Sequence, residues 1–139
     1  MREQQRNLAV VARILAQGLH GDVRDANGRL RVDGLRRLAE AVAEEHSPEH
    51  PAVAVAWLSS GLGAGRRTAV GRVGGVTVAE LRRGFGDEIA GAVVALTPRP
   101  GEAAGAARSR IEASPLALIV AAADRELRDR VAEPVLRAG

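Results

Sequence analysis

The chain contains no cysteine, no tyrosine and no lysine, and aromatic residues make up only 1% of it. Without cysteine there is no disulfide framework and no thiolate metal site. Without interleaved aromatics there is no stacking surface for bases, so a nucleic-acid partner is not expected. A core lacking aromatics must be built from Ala, Val, Leu and Ile, which favours closely packed helices with small contact residues. No apolar run approaches the roughly 20 residues of a membrane helix. Met1-Arg2-Glu3-Gln4-Gln5-Arg6 leads into an amphipathic stretch and not into a signal peptide. The expectation is a cytoplasmic protein without a membrane partner.

The missing lysine also explains an isoelectric point near 11.0. All 20 basic residues are Arg and the formal net charge is only +3. With no Lys, Tyr or Cys, nothing titrates between His and Arg, so the isoelectric point drifts towards the Arg pKa. Arg in place of Lys, with abundant Ala, Gly and Val, is the composition of a GC-rich bacterial genome. The 139 residues suit one domain with a real core, spanning 1–139.

The pattern predicts an all-α bundle of about seven helices. Leu8, Val11, Ile14, Leu15 and Leu19 follow the spacing of one buried helical face. Gly21 to Gly34 reads as a loop, and Asp33 is placed to cap a second helix striped by Leu35, Leu38, Ala39 and Val42. The run from His46 to Pro51 breaks that helix. Ala52 to Leu58 is apolar throughout, and its period fits a strand or a buried helix equally. Gly61 to Gly75 reads as a mobile loop. Thr77-Val78-Ala79-Glu80 is a capping box opening a short helix to about Arg83. Gly84-Phe85-Gly86 stops it, and Asp87 caps a helix from Glu88 to about Leu96. A further helix covers Ala103 to Glu112. Ser114-Pro115 then starts a last helix to about Ala132, apolar first and charged later.

Some groupings suggest chemistry, and each has a plainer reading. His46 and His50 stand four apart among Glu44, Glu45 and Glu49, a spacing that binds zinc on one helix face. Pro48 interrupts them, which favours a solvated loop. Gly61-Leu62-Gly63-Ala64-Gly65-Arg66-Arg67-Thr68 is glycine-rich enough to cradle phosphates but lacks the P-loop lysine and spacing. Arg66 and Arg67 can bind an anion through guanidinium forks or form a solvated basic loop.

Beyond these, much of the chain resembles the small alarmone-hydrolase branch of the HD superfamily, the Rel/Spo and Mesh types that cut guanosine tetraphosphate. Val76 to Gly86 is similar to the T-T-x-x-E-[IL]-x-x-x-F-G segment, and Asp87 to Thr97 to the next helix, ending V-x-x-[LV]-T. Arg108 to Glu112 and Ala117 to Arg125 resemble the stretch ending K-L-A-D-[RK]. Leu15 to His20 fits F-A-x-x-x-H, and Arg24 and Gly28 match the basic residue and glycine of the loop after it. The resemblance makes His20 and Asp124 two of four metal ligands. The other two are gone: Val55-Ala56-Trp57-Leu58-Ser59-Ser60 stands where the family reads A-A-L-L-H-D. The I-x-H-P motif beside the nucleotide falls on Val32-Asp33-Gly34-Leu35, and the acidic pair after H-D is also missing.

Hydroxyls replace imidazole and carboxylate poorly around a divalent cation, and a catalytic site usually needs three protein ligands. The resemblance therefore implies a degenerate HD domain, a pseudoenzyme without metal or other cofactor, kept for binding a phosphorylated nucleotide or other small anion, or a protein partner or second copy. Arg24, Arg66, Arg67 and Arg125 are its candidate ligand-binding residues. Arg24, Arg125 and Arg128 are candidate partners for Asp124. Its alternative is metal-free acid/base catalysis of a cyclisation or isomerisation in specialised metabolism, carried by Asp124, His20, Ser59 and Ser60. A partner that heterodimerises with an active homologue is a third reading, and an active alarmone pyrophosphohydrolase the least favoured. His20 reads either as a relic ligand or as a capping or surface residue, and Asp124 either as a structural ion-pair member or as a functional acid. If the two are adjacent they form a charge-compatible pair. Trp57, beside the lost H-D, is expected to fill the volume left by metal and water.

Overall fold

The computed structural model describes residues 2–20, 23–24, 28–59, 66–68, 71–73, 76–97, 99 and 101–138; for 2–7, 66–68, 71–73 and 131–138 it describes the backbone alone. Seven helices form the described residues: α1 (Arg2–His20), α2 (Arg31–Glu45), α3 (Pro51–Leu58), α4 (Val78–Phe85), α5 (Asp87–Leu96), α6 (Ala104–Glu112) and α7 (Pro115–Ala138). The architecture is all-α. One small antiparallel hairpin, β1 (Arg66–Thr68) and β2 (Gly71–Val73), pairs Arg66 with Val73 and Thr68 with Gly71. It lies in the stretch expected to be loop, where Gly residues hid a short strand pair from periodicity.

The apolar segment 52–58 is a helix. Every residue from Ala52 to Leu58 is buried, because α3 runs through the centre with α1, α2, α5 and α7 packed around it. A helix apolar on all sides has no face for water, and only such a central position satisfies it. Its first turn is prepared by Pro51 at N1 and by His50, whose Nδ1 accepts the Ala52 N–H at 3.1 Å. His50 is thus a half-buried cap and not a solvated loop residue; its ring lies 4.8 Å from that of His46.

α1 buries a face shifted from the one its large residues suggest: Leu8, Leu15 and Leu19 pack half-buried against the core, and the alanines beside them go deepest. Val11 and Ile14 are 50% and 60% exposed, whereas Ala9, Ala12, Ala16 and His20 are buried. Alanines let α1 approach α3 closely, and dispersion over a tight contact outweighs the larger but more distant side chains. The α2 stripe is as expected, with Val32 added. Asp33 is not its cap: α2 begins at Arg31, and Asp33 lies in the first turn, 3.5 Å from Arg36.

The C-terminal half follows its start and stop signals. Thr77 and Glu80 form the capping box, each side chain bonding the other's backbone N–H. Gly86, at φ +90°, turns the chain from α4 into α5, a conformation that disfavours any residue with a Cβ. Gly86 is also the N-cap of α5, so Asp87 sits inside the first turn instead of capping it. Ser114 Oγ accepts the Ala117 N–H at 3.3 Å, and Pro115 is the first residue of α7.

Arg110 of α6 closes the end of α5. It donates to the carbonyls of Ala95 and Thr97, both at 3.1 Å, and to both carboxylate oxygens of Glu102. Glu102 in turn accepts the Arg99 N–H at 3.1 Å. These bonds occupy carbonyls that a helix C-terminus leaves without partners. The Arg110 guanidinium, then the Arg99 N–H, hold the Glu102 carboxyl down at about 2.

Two stability measurements check this account. Leu58→Ala is expected to cost about 2–5 kcal/mol in denaturant unfolding, against less than about 0.5 kcal/mol for Ile14→Ala. Equal costs would mean that α1 packs by its large residues after all. Glu102 is depressed in the fold, so its contribution is present above the ordinary 4.5 and lost as pH falls towards about 2. Glu102→Gln should therefore be less stable than the parent at pH 7, with the gap closing over that window.

Candidate functional site

A cleft of about 810 Å³ opens where α3 ends, between the first half of α2 and α7. α7 supplies one wall through a stripe four residues apart, Val120, Ala121, Asp124, Arg125 and Arg128. Because α7 begins apolar and turns charged, that wall is greasy at one end and ionic at the other. α2 adds Arg31, Gly34, Leu35 and Leu38, while Leu96 and Ile111 complete the apolar part. Ser59, the first residue after α3, reaches the same cleft.

The cleft brings together Ser59, Asp124, Arg125 and Arg128 of the residues singled out in the sequence, and adds Arg31 and Asp129. Asp124 is half-exposed, and its carboxylate accepts from Arg128, with Nε at 3.1 Å. Of the three arginines proposed as its partner, Arg128 is the one. That bond raises the Arg128 pKa further. Three Arg and two Asp line the cleft, and among the described residues Arg31 and Arg125 have no carboxylate partner.

His20 does not line this cleft. It is buried to 1% exposure at the end of α1, neither a surface residue nor a side-chain cap, and its Nε2 has no hydrogen-bond partner. Burial lowers its pKa below 6.5, and the positive charge of Arg31 lowers it further. His20 and Asp124 are not paired, since Asp124 is held by Arg128 and the charge felt by His20 is Arg31.

The remaining predicted residues lie elsewhere. Arg24 donates to the Gly28 carbonyl at 2.7 Å in the α1–α2 loop, outside the cleft. Ser60 lies outside the described residues; Arg66 and Arg67 are on β1, their side chains likewise outside. Trp57 does not fill a vacated metal site. It borders a second groove of about 440 Å³ with Ala9, Val10, Arg13 and Pro48, away from the Ser59–Asp124 cleft. Positions 57 and 59 point in different directions from the end of one helix, which adjacency in sequence conceals.

The donors do not fit a divalent metal. Ser59 Oγ donates to the Ala56 carbonyl at 2.9 Å, Asp124 is committed to Arg128, and no three of His, Cys, Asp or Glu converge among the described residues. Nor do Ser59, Asp124 and His20 bond to one another as a proton-transfer array would. What the cleft offers is two guanidinium groups, unpaired among the described residues, beside an apolar floor. Arg31 and Arg128 carried no motif signal; only the four-residue stripe of α7 could have pointed to Arg128. No protein-family model, curated protein or solved structure matches the chain.

The neutral burial of His20 makes stability pH-dependent. The unfolded chain takes up a proton near 6.5 and the folded one resists it, so stability rises with pH through the window below 6.5. His50, lowered first by burial and then by His46, acts in the same sense. Unfolding free energy should fall from pH 7 to pH 5, with His20 contributing at most about 1.4 kcal/mol per pH unit. His20→Leu should flatten part of that slope. A parent protein equally stable at both values would contradict the buried neutral imidazole.

Proposed function

We propose that this protein is a catalytically degenerate HD-type helical domain that binds a small anionic molecule in the α2–α7 cleft. One observation carries the reading: Ser59 and Asp124, which the motif resemblance assigns to the metal centre, line one cleft with Arg31 and Arg125, and both arginines lack a carboxylate partner among the described residues. An exposed guanidinium beside an apolar cleft and without a counter-ion among the described residues is a ready anion receptor, since its fork fits a carboxylate or phosphate with two parallel bonds. The lost His-Asp pair supports the same direction. With the ligands replaced by hydroxyls, the positive charge of a metal is no longer available in the cleft, and Arg supplies it instead. Ser59, bonded to the end of α3, serves as a cap and not as a nucleophile.

The test has two parts. After manganese incubation and desalting, elemental analysis should find far less than one metal per chain, and guanosine tetraphosphate should remain intact. Inorganic phosphate should bind in titration calorimetry, and Arg125→Ala should weaken it by about 1.5–3 kcal/mol, roughly 10- to 150-fold in Kd. Stoichiometric metal with turnover would overturn the reading. So would anion binding indifferent to both Arg125→Ala and Arg31→Ala.

A further inference from the structure

The lining of the cleft also says what kind of body the anion carries. Its inner part is aliphatic: Leu35, Leu38, Leu96, Ile111 and Val120. The charged groups stand together further along α7 and at the start of α2. No aromatic residue lines it; the single Trp borders the other groove, the single Phe is in the core beside α5, and the sequence has no Tyr. A nucleobase is held by stacking on aromatic faces and by hydrogen bonds to its edges. The uncharged polar side chain in the lining is Ser59, and its proton goes to Ala56. Among the described lining residues there is thus no aromatic face for a base to stack on and no side-chain amide or free hydroxyl to meet its edge.

The charge balance narrows the choice again. Among the described residues, three Arg against two Asp leave one net positive charge, with Arg128 bonded to Asp124 and Asp129 also acting on Arg128. That balance suits one negative charge and leaves a polyphosphate mostly uncompensated. A volume of about 810 Å³ is ample for a molecule of moderate length.

We infer that the ligand is an aliphatic monoanion, an alkyl or acyl chain ending in a single carboxylate, with the chain on the leucine floor and the carboxylate between Arg31 and Arg125. This rests on the anion-binding reading of the cleft and specifies the ligand class within it.

Calorimetry of the full chain with octanoate, decanoate and dodecanoate below their micelle concentrations tests it. One site per chain is expected, with Kd tightening by up to about fourfold for each methylene buried. Decanol, which lacks the charge, should bind at least tenfold more weakly than decanoate. Gly34 faces the cleft with open space where a Cβ would stand, so Gly34→Leu keeps the helix and narrows the cleft. It should abolish decanoate binding with an unchanged circular dichroism spectrum. Arg125→Glu, at an exposed position of α7, should abolish it as well and provides a second variant if Gly34→Leu misfolds. Binding without chain-length dependence, at several sites per chain, or unaffected in both variants would overturn the inference. Pyrophosphate or guanosine diphosphate binding through Arg125 with no decanoate binding would overturn the aliphatic class while leaving the anion site standing. Binding of neither would remove both.

Discussion

Seven consecutive residues with nothing to offer water set the plan of this protein. Ala52 to Leu58 cannot lie on a surface without exposing a continuous apolar cylinder, so the other helices must enclose it. α1, α2, α5 and α7 each give it a side, and the small residues among them, Ala12, Ala16, Ala90 and Ala92, allow that many neighbours around so short a helix. A core with scarcely any aromatic volume gains its dispersion energy from close approach and not from large side chains. The exposed Val11 and Ile14 are the consequence: on α1 the alanine face is worth more against α3 than the branched face beside it.

The enclosure leaves α3 two polar exits, one at each end. At its start His50 satisfies the Ala52 amide. At its finish the hydroxyl of Ser59 returns to the Ala56 carbonyl at the edge of the cleft. The cleft is therefore tied to the core: it lies where the central helix stops and α2 and α7 continue past it. A similar logic holds at α5, whose last carbonyls would face the α5–α6 turn without partners had Arg110 not reached them. Glu102 fixes that guanidinium in place, and one ion pair thus serves a helix end, a turn and the packing of α6.

Much of this was legible in the sequence where a local rule decides the outcome. The capping box at Thr77, the stop at Gly86, the Ser114-Pro115 start and the α2 stripe are short-range signals, and each is in place. The strand-or-helix ambiguity of 52–58 was real, because a fully buried segment has no polar face to reveal its period. On α1 periodicity placed Leu8, Leu15 and Leu19 against the core but missed the exposure of Val11 and Ile14, because it weighs large residues over small ones; at Asp33 and Asp87 it failed because an acidic residue in a first turn resembles a cap. Of the residues lining the cleft, Ser59, Asp124 and Arg125 were singled out through motif resemblance, and Arg128 as a candidate partner of Asp124. Arg31 was not, since its place in the cleft depends on how α2 crosses α7, and neither was the burial of His20.

His20 shows how the pieces constrain one another. An imidazole buried at the end of α1 with Nε2 unpaired is costly, and Arg31 next to it makes protonation costlier still. A neutral ring is the state that both burial and Arg31 favour, so His20 adds no positive charge near the cleft and competes for no anion. Arg31 cannot be neutralised by a histidine, and Asp124 is already taken by Arg128. On the proposed reading, the unpaired charge at the mouth of the cleft persists because, among the described residues, Asp124 is held by Arg128, the Asp129 carboxylate also acts on Arg128, and the His20 ring is kept neutral by burial. An anion from solution is the group that completes the balance.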